Sequence, residues 1–169
     1  MPRIRFRPGS RPSAKLRTVV GLWLRATLMR ESEVRRQLTR ELNGGKRGWN
    51  YDEPAVVEAA CELMVRRFFG TSYDVREITA AVSFLRTADQ AKDKTPHGQL
   101  EMEAVIRSAL GETDVDISGI IPPVLMEIRG AAAAYCSFKL ALPESDIVQM
   151  IAEAERMAFE RGWNPPLAS

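Results

Sequence analysis

The sequence predicts an all-α protein, a single compact domain of six or seven helices preceded by an extended basic N-terminal arm. Apolar residues recur at three- and four-residue spacing through most of the 169 residues, as the buried face of an amphipathic helix requires. No stretch shows the strict apolar–polar alternation that is typical of a half-buried strand. Most glycines and prolines fall between the periodic stretches, where they end one helix or begin the next.

The first 30 residues divide into an arm and a helix. Residues 1–12 contain three prolines and four arginines, a composition that cannot build a core, and we expect them to be extended. A helix then follows from a cap at Ser13 to about Met29. The residues spaced for its inner face are Leu16, Val19, Val20, Trp23 and Thr27. The residues expected on its outer face are Arg17, Thr18, Gly21 and Arg25.

A narrower apolar stripe continues beyond this helix and consists of Val34, Leu38 and Leu42. It fits two alternatives, an exposed continuation of one long helix or a separate short helix capped at Ser32. Asn43-Gly44-Gly45 ends the stripe with residues suited to a left-handed cap. We therefore divide the chain into the arm 1–12, a basic amphipathic helical segment with its linker at 13–48, and an acidic helical body at 49–169.

The body is expected to hold five helices, at about 52–69, 74–88, 95–111, 124–142 and 144–161. Asp52 with Pro54, Thr95-Pro96 and Pro122-Pro123 are start signals, and Gly70, Gly111 and Gly162 are stop signals. The fourth of these helices contains almost no side-chain bulk between residues 130 and 134. Because small residues allow helices to approach closely, we expect this helix to be the central buried one.

The charge is divided unequally along the chain. Residues 1–48 carry thirteen Lys and Arg but only three acids, a net charge of +10. The remaining 121 residues carry eleven cations and nineteen acids, a net charge of −8. A basic segment on an acidic body indicates an anionic partner.

The candidate partner-binding residues follow from this division of charge. The arm interleaves arginines with Ile4 and Phe6, which suits phosphate contact combined with stacking or insertion. Trp23 is a candidate apolar anchor on the first helix. The full set of candidates is Arg3, Arg5, Phe6, Arg7, Arg11, Arg17, Trp23, Arg25, Arg35 and Arg36.

The kind of partner stays open at this point. The favoured hypothesis is a non-enzymatic adaptor or assembly protein that docks on another protein's acidic face or on a second copy of itself. A nucleic-acid-binding protein is the alternative, and a membrane surface is the least favoured partner. A third hypothesis is an enzyme whose site assembles from dispersed helical residues together with a cofactor. The same pattern also fits a helix that simply packs on the body with its arginines solvated. Residues 1–30 contain Arg and Ser but no acid, as a mitochondrial presequence does, although the helical pattern continues past residue 30.

No catalytic, cofactor or metal site is predicted. His97 is the only histidine, and neither a charge-relay triad nor a two-histidine metal site has its other members. Asp114, Asp116 and Ser118 match the first half of a calcium loop, but Leu125 stands where the bidentate Glu belongs. Cys61 and Cys136 are expected to be buried, reduced thiols in a cytoplasmic protein. No apolar run is long enough to cross a bilayer.

Overall fold

The computed structural model describes residues 15–42, 50 and 52–169. Within these ranges the chain forms seven helices and no strand, which confirms the predicted all-α class. The helices are α1 Val19–Leu28, α2 Ser32–Leu42, α3 Glu53–Phe69, α4 Val75–Ala91, α5 Gln99–Ala109, α6 Pro122–Lys139 and α7 Glu144–Glu160. The predicted arm, residues 1–12, lies outside the described residues. None of the seven helices combines the length and the apolar character that a bilayer span requires.

The first two helices are separate. Arg30 between them has a φ of 58°, a left-handed conformation that interrupts the right-handed helical path. Of the two alternatives for the stripe Val34, Leu38 and Leu42, the separate helix beginning at Ser32 is therefore the one observed. The first helix begins at Val19 rather than at Ser13. Thr18 is its extended N-cap residue and accepts a hydrogen bond from the N–H of Gly21.

The core consists of two adjoining apolar clusters that share α3. Val20 and Leu24 of α1 pack with Val56 of α3 and Ile151 of α7 in the first cluster. The second cluster joins α3 to α4, α5 and α6 and includes Met64, Ile78, Met102, Ile106 and Ile128. Because α1 supplies fully buried side chains to the first cluster, it belongs to the same core as the body, although its charge resembles that of the arm.

The most buried helix is α3, and the expectation that α6 occupies the centre is wrong. α3 lies between α6 and α7 and contributes residues to both clusters. The small residues of α6 divide between two faces: Ala132 and Ala133 are buried, whereas Ala131 and Ala134 remain partly exposed. The small side chains of α6 allow it to pack closely against α3. They do not indicate how many faces of α6 other helices cover.

Both cysteines are buried and free in the second cluster, as predicted. Burial raises the pKa of Cys61 to about 12. Burial, and then the neighbouring Cys61, raise the pKa of Cys136 as well. Because the thiolate is the reactive form, we expect neither cysteine to react with 5,5′-dithiobis(2-nitrobenzoic acid) at pH 8 in the folded protein, and both to react rapidly in denaturant. Fast reaction of either thiol without denaturant would contradict the packing of α3 against α6.

Candidate partner-binding surface

The segment that precedes α1 is fixed to the body by the C-terminal tail. The N–H of Val19 donates to the carbonyl oxygen of Pro166 at 3.0 Å, and the N–H of Ala168 donates to the carbonyl oxygen of Arg17 at 2.8 Å. Thr18 and Leu167 thereby form an antiparallel bridge. The basic N-terminal residues consequently join the body at a fixed point beside the C-terminal tail.

A buried carboxylate of α7 reinforces this attachment. Glu155 is 1% exposed and accepts hydrogen bonds from the N–H of Arg17 at 3.0 Å and from the N–H of Thr18 at 2.6 Å. The hydroxyl of Thr18 also donates to it. Amide groups at a helix N-terminus have no partner within the helix, and a negative charge there is favourable. Glu155 therefore binds the start of α1 to α7.

This contact corrects the predicted faces of α1. Thr18 and Gly21 were expected on the outer face, whereas both are buried. A Cβ at position 21 would lie 2.6 Å from Oε2 of Glu155, which means that the carboxylate occupies the space of a side chain. The prediction was wrong because apolar periodicity treats a threonine and a glycine as solvent-facing, although a buried carboxylate requires a polar and a small neighbour.

Arg17, just before α1, and Arg25, on α1, have different surroundings. The guanidinium of Arg17 is exposed and lies 4.6 Å from the ring centroid of Phe159. Arg25 forms ion pairs with Glu31, at 3.0 Å, and with Glu144. Two carboxylates already neutralise the charge of Arg25. These ion pairs hold the α1–α2 turn against the start of α7. Arg17 is the one of the two that presents charge outward.

Trp23 connects three helices. Its indole Nε1 donates to Oγ1 of Thr39 on α2 at 3.0 Å. The ring is partly buried against the first cluster, and its far edge lies 3.8 Å from where a Cβ of Gly130 on α6 would stand. Within the described residues, Trp23 therefore packs α2 on α1 and α1 on α6, and only part of its side chain is left for a partner.

The arginines of α2 are exposed. Arg35, Arg36 and Arg40 fall within roughly 140° of the helix circumference, and all three face solvent. Arg36 pairs with Glu33 at 2.9 Å, but both side chains are more than half exposed, and such a pair contributes little. α2 packs chiefly on α1, which leaves this arginine face open.

Five of the predicted residues lie outside the described part of the chain: Arg3, Arg5, Phe6, Arg7 and Arg11. The other five do not form one cluster. Arg35 and Arg36 are exposed on α2, Arg17 is exposed beside α7, and Arg25 and Trp23 make internal contacts. The described part of the predicted surface is therefore an arginine face on a helix that Trp23 and Arg25 hold in place.

Sequence reasoning missed a second group of residues, which we call the aromatic–cation patch: Arg30, Phe84, Tyr135, Phe138 and Lys139. The guanidinium of Arg30 lies 4.8 Å from the ring centroid of Phe138. Nζ of Lys139 lies 5.1 Å from the centroid of Phe84 and 5.7 Å from that of Tyr135. The patch joins the α1–α2 turn, α4 and the end of α6. The only signal in the sequence was Phe84 and Phe138 at positions where the helical pattern calls for polar residues.

The residues considered for chemistry make ordinary contacts. Nε2 of His97 lies 2.8 Å from Oε2 of the exposed Glu127. Asp116 Oδ1 accepts a hydrogen bond from the N–H of Ser118 at 2.8 Å, which closes a local turn. Within 15–42 and 52–169, no group of three His, Cys, Asp or Glu side chains could hold a metal ion.

Glu53, in the first turn of α3, should make stability depend on pH. Its side chain is 5% exposed, and burial raises the pKa of its carboxyl to about 7. A pKa that is higher in the folded state than in the unfolded state adds stability below pH 4.5, and this stability is lost as the pH rises through 7. We expect Glu53→Gln to stabilise the protein by about 1 kcal/mol at pH 8, after allowance for solvent screening.

Thermal melting of the wild type and of Glu53→Gln at pH 4.5, 6 and 8 checks this expectation. The two proteins should melt alike at pH 4.5 and diverge as the pH rises. Glu101→Gln, in the first turn of α5 and partly exposed, is the control and should alter the melting temperature less than Glu53→Gln does. A Glu53→Gln curve parallel to that of the wild type at every pH would contradict the assigned pKa.

The described surface therefore offers exposed arginines, a fixed attachment point for the basic N-terminal residues, and the aromatic–cation patch. Comparison with known protein families, with curated proteins and with solved structures finds no match to this chain.

Proposed function

We propose that this chain is a non-enzymatic helical adaptor or assembly protein whose basic N-terminal segment docks on an anionic partner. The division of charge is the observation that carries the proposal, with +10 on residues 1–48 and −8 on the remainder. A segment of one sign attached to a body of the other raises the association rate with oppositely charged surfaces and repels like-charged ones.

The contacts at the start of α1 support a docking role for the residues before it. A charged segment loses less conformational entropy on binding when one of its ends is already fixed. The bridge to Leu167 and the buried Glu155 fix that end at residues 17 and 18. Arg17 then continues the positive charge from the arm onto the surface of the body.

The described arginines have two roles in this proposal. Arg35 and Arg36 contact the partner directly, since both are exposed on α2. Arg25 and Trp23 act as positioning residues, since they hold α2 against the rest of the fold. The favoured partner is an acidic protein face, and the acidic body of a second copy meets the same requirement. The two buried, free thiols fit a reducing compartment such as the cytoplasm.

Nucleic acid is the second candidate partner, and the arginine face of α2 is the observation that favours it. Arg35, Arg36 and Arg40 share one side of a helix whose other side packs on α1. Such an array could follow a phosphate backbone, with the arm contributing further contacts. Binding of this kind weakens steeply as salt displaces the protein from the phosphates.

Fluorescence anisotropy with defined probes separates these candidates. The full chain is titrated into labelled poly-glutamate, single-stranded DNA and RNA of matched length, at low and at physiological salt. We expect poly-glutamate to bind at physiological salt and to bind at least tenfold more weakly after deletion of residues 1–12. Preferential binding of DNA or RNA that is lost on the same deletion would identify nucleic acid, rather than an acidic protein, as the partner. Absence of binding to every probe would overturn the docking proposal.

A further inference from the structure

The aromatic–cation patch exposes an unusual amount of ring surface. Phe84 on α4 is 48% exposed and Phe138 on α6 is 55% exposed. Tyr135, also on α6, contacts Phe84 of α4, with 5.5 Å between the two ring centroids. Behind it, Phe68 of α3 contacts Tyr135 edge to face at 5.7 Å. Phe84 therefore stands on a packed aromatic base of Tyr135 and Phe68 that holds it in position.

The patch is positively charged as well as apolar. Arg30 and Lys139 lie over its rings, and within the described residues neither of them forms an ion pair with a carboxylate. Glu31, the acid next to Arg30 in sequence, is paired with Arg25. The patch consequently presents two cations whose charge is not neutralised by the carboxylates described around it.

Short, uncharged side chains lie next to the rings on both helices. Ala80, Ser83 and Thr87 are exposed on α4, within one helical turn of Phe84. Ala134 and Ala131 are partly exposed on α6, about one and two turns before Phe138. Short side chains allow the backbone of a further helix to approach closely, and protruding rings at one end give such a helix an apolar contact.

We propose that the aromatic–cation patch binds an amphipathic helix of a partner protein that carries acidic residues beside its apolar stripe. The apolar stripe covers Phe84 and Phe138, and the acidic residues pair with Lys139 and Arg30. This mode of recognition places the apolar face of one helix in a groove formed by two others. The inference goes beyond the proposed function, because its residues are other than those of the arm 1–12 and of the arginine face of α2.

A helix suits this surface better than nucleic acid does. Two cations neutralise about two phosphates, whereas roughly six to ten phosphate contacts are usual for a DNA-binding protein. Phe84 and Phe138 each already have a cation over one ring face, which leaves that face unavailable for stacking by a base. Because the charge is small and the apolar area is large, hydrophobic contact supplies the affinity here and charge supplies the specificity.

The first test measures binding of designed helical peptides to the full chain by anisotropy. One peptide has a leucine stripe flanked by Glu, a second has the same stripe flanked by Lys, and a third is a scrambled form of the first. We expect the Glu-flanked peptide to bind at least tenfold more tightly than the other two. In two-dimensional NMR, its addition should shift the amide signals of α4 and α6 around Phe84 and Phe138. Equal binding of all three peptides, or no binding, would overturn the proposal.

Variants then identify the surface. Phe84→Ser combined with Phe138→Ser should weaken the Glu-flanked peptide at least tenfold. Val75→Ser is the matched control, since Val75 is 54% exposed on the same helix but about 180° around it from Phe84, and it should leave the affinity unchanged. Because the double variant could alter folding, Lys139→Glu provides an independent readout. Lys139→Glu should make the protein prefer the Lys-flanked peptide. Lys92→Glu, at the C-terminal end of α4, should leave the preference for the Glu-flanked peptide unchanged.

Two further outcomes would contradict the proposal that a partner's amphipathic helix binds the patch. Sedimentation of the wild type as a dimer that Phe84→Ser makes monomeric would assign the patch to a second copy. Tighter binding of single-stranded DNA than of the Glu-flanked peptide, lost in the double variant, would assign it to nucleic acid. Charge reversal in the arm should leave the peptide affinity unchanged, and thus failure of this inference and failure of the docking proposal are distinguishable.

Discussion

Replacement of Glu155 by alanine is expected to lower the free energy of unfolding by about 3–5 kcal/mol. The N–H groups of Arg17 and Thr18 would lose the carboxylate that accepts their hydrogen bonds. Unpaired polar groups in a buried position each cost about 1–3 kcal/mol, and the removed side chain leaves a cavity. Chemical denaturation in urea measures the difference directly.

Two variants of α7 sharpen this measurement. Glu153→Ala removes an acid two residues away that pairs with Arg156 at the surface, and we expect it to change the stability by less than about 1 kcal/mol. Glu155→Gln keeps the size of the side chain but points an amide donor at other donors, and it should give an intermediate loss. If Glu155→Ala were no more harmful than Glu153→Ala, the assignment of Glu155 as the attachment of α1 would be wrong.

Replacement of Gly21 by alanine is the second large effect that we expect. Alanine normally stabilises a helix by about 0.5–1 kcal/mol relative to glycine. At this position the added Cβ would lie 2.6 Å from Oε2 of Glu155 and 2.8 Å from Oγ1 of Thr18. Both atoms are held by buried hydrogen bonds, so relieving the clash must break them. We therefore expect a net loss of about 2–4 kcal/mol.

Gly130 provides the matched control for this substitution. It too is a buried helical glycine, but a Cβ there would meet the ring of Trp23 at an ordinary contact distance of 3.8 Å. Gly130→Ala should therefore be neutral or slightly stabilising, opposite in sign to Gly21→Ala. In a double-mutant cycle, the cost of Gly21→Ala should fall by more than about 1 kcal/mol when residue 155 is already alanine. An unchanged cost would show that the clash lies elsewhere.

Most of the helical architecture follows from local signals. α3 and α7 begin and end within one residue of the predicted bounds, because Asp52, Pro143, Gly70 and Gly162 interrupt strong apolar periodicity. The start of α1 was placed too early, because its position depends on Glu155, 137 residues away from Thr18. Contacts of that range leave no mark in local periodicity, and neither does the choice of α3 over α6 as the central helix.

Only the charge of the candidate partner-binding surface was predictable from the sequence. Counting residues is enough to find the basic segment, and the exposure of Arg35 and Arg36 agrees with the stripe of α2. Whether an arginine is free or paired depends on which acids the fold brings near it, as Glu144 is brought to Arg25. The aromatic–cation patch depends likewise on the α1–α2 turn meeting the end of α6.

One charge-reversal experiment tests whether the basic arm binds an anionic partner without contributing to the stability of the fold. Arg3, Arg5 and Arg7 are changed together to Glu, and poly-glutamate binding at physiological salt is measured beside the melting temperature. The control changes Arg76, Lys92 and Lys94, three exposed cations of the body, in the same way.

We predict that the arm variant loses at least tenfold in affinity and melts within a degree or two of the wild type, while the control keeps its affinity. Unchanged binding by the arm variant, or an equal loss in the control, would show that the arginines of the arm do not bind the anionic partner specifically. A large fall in the melting temperature of the arm variant would also contradict the docking proposal, since it would show that these arginines serve the fold rather than a partner.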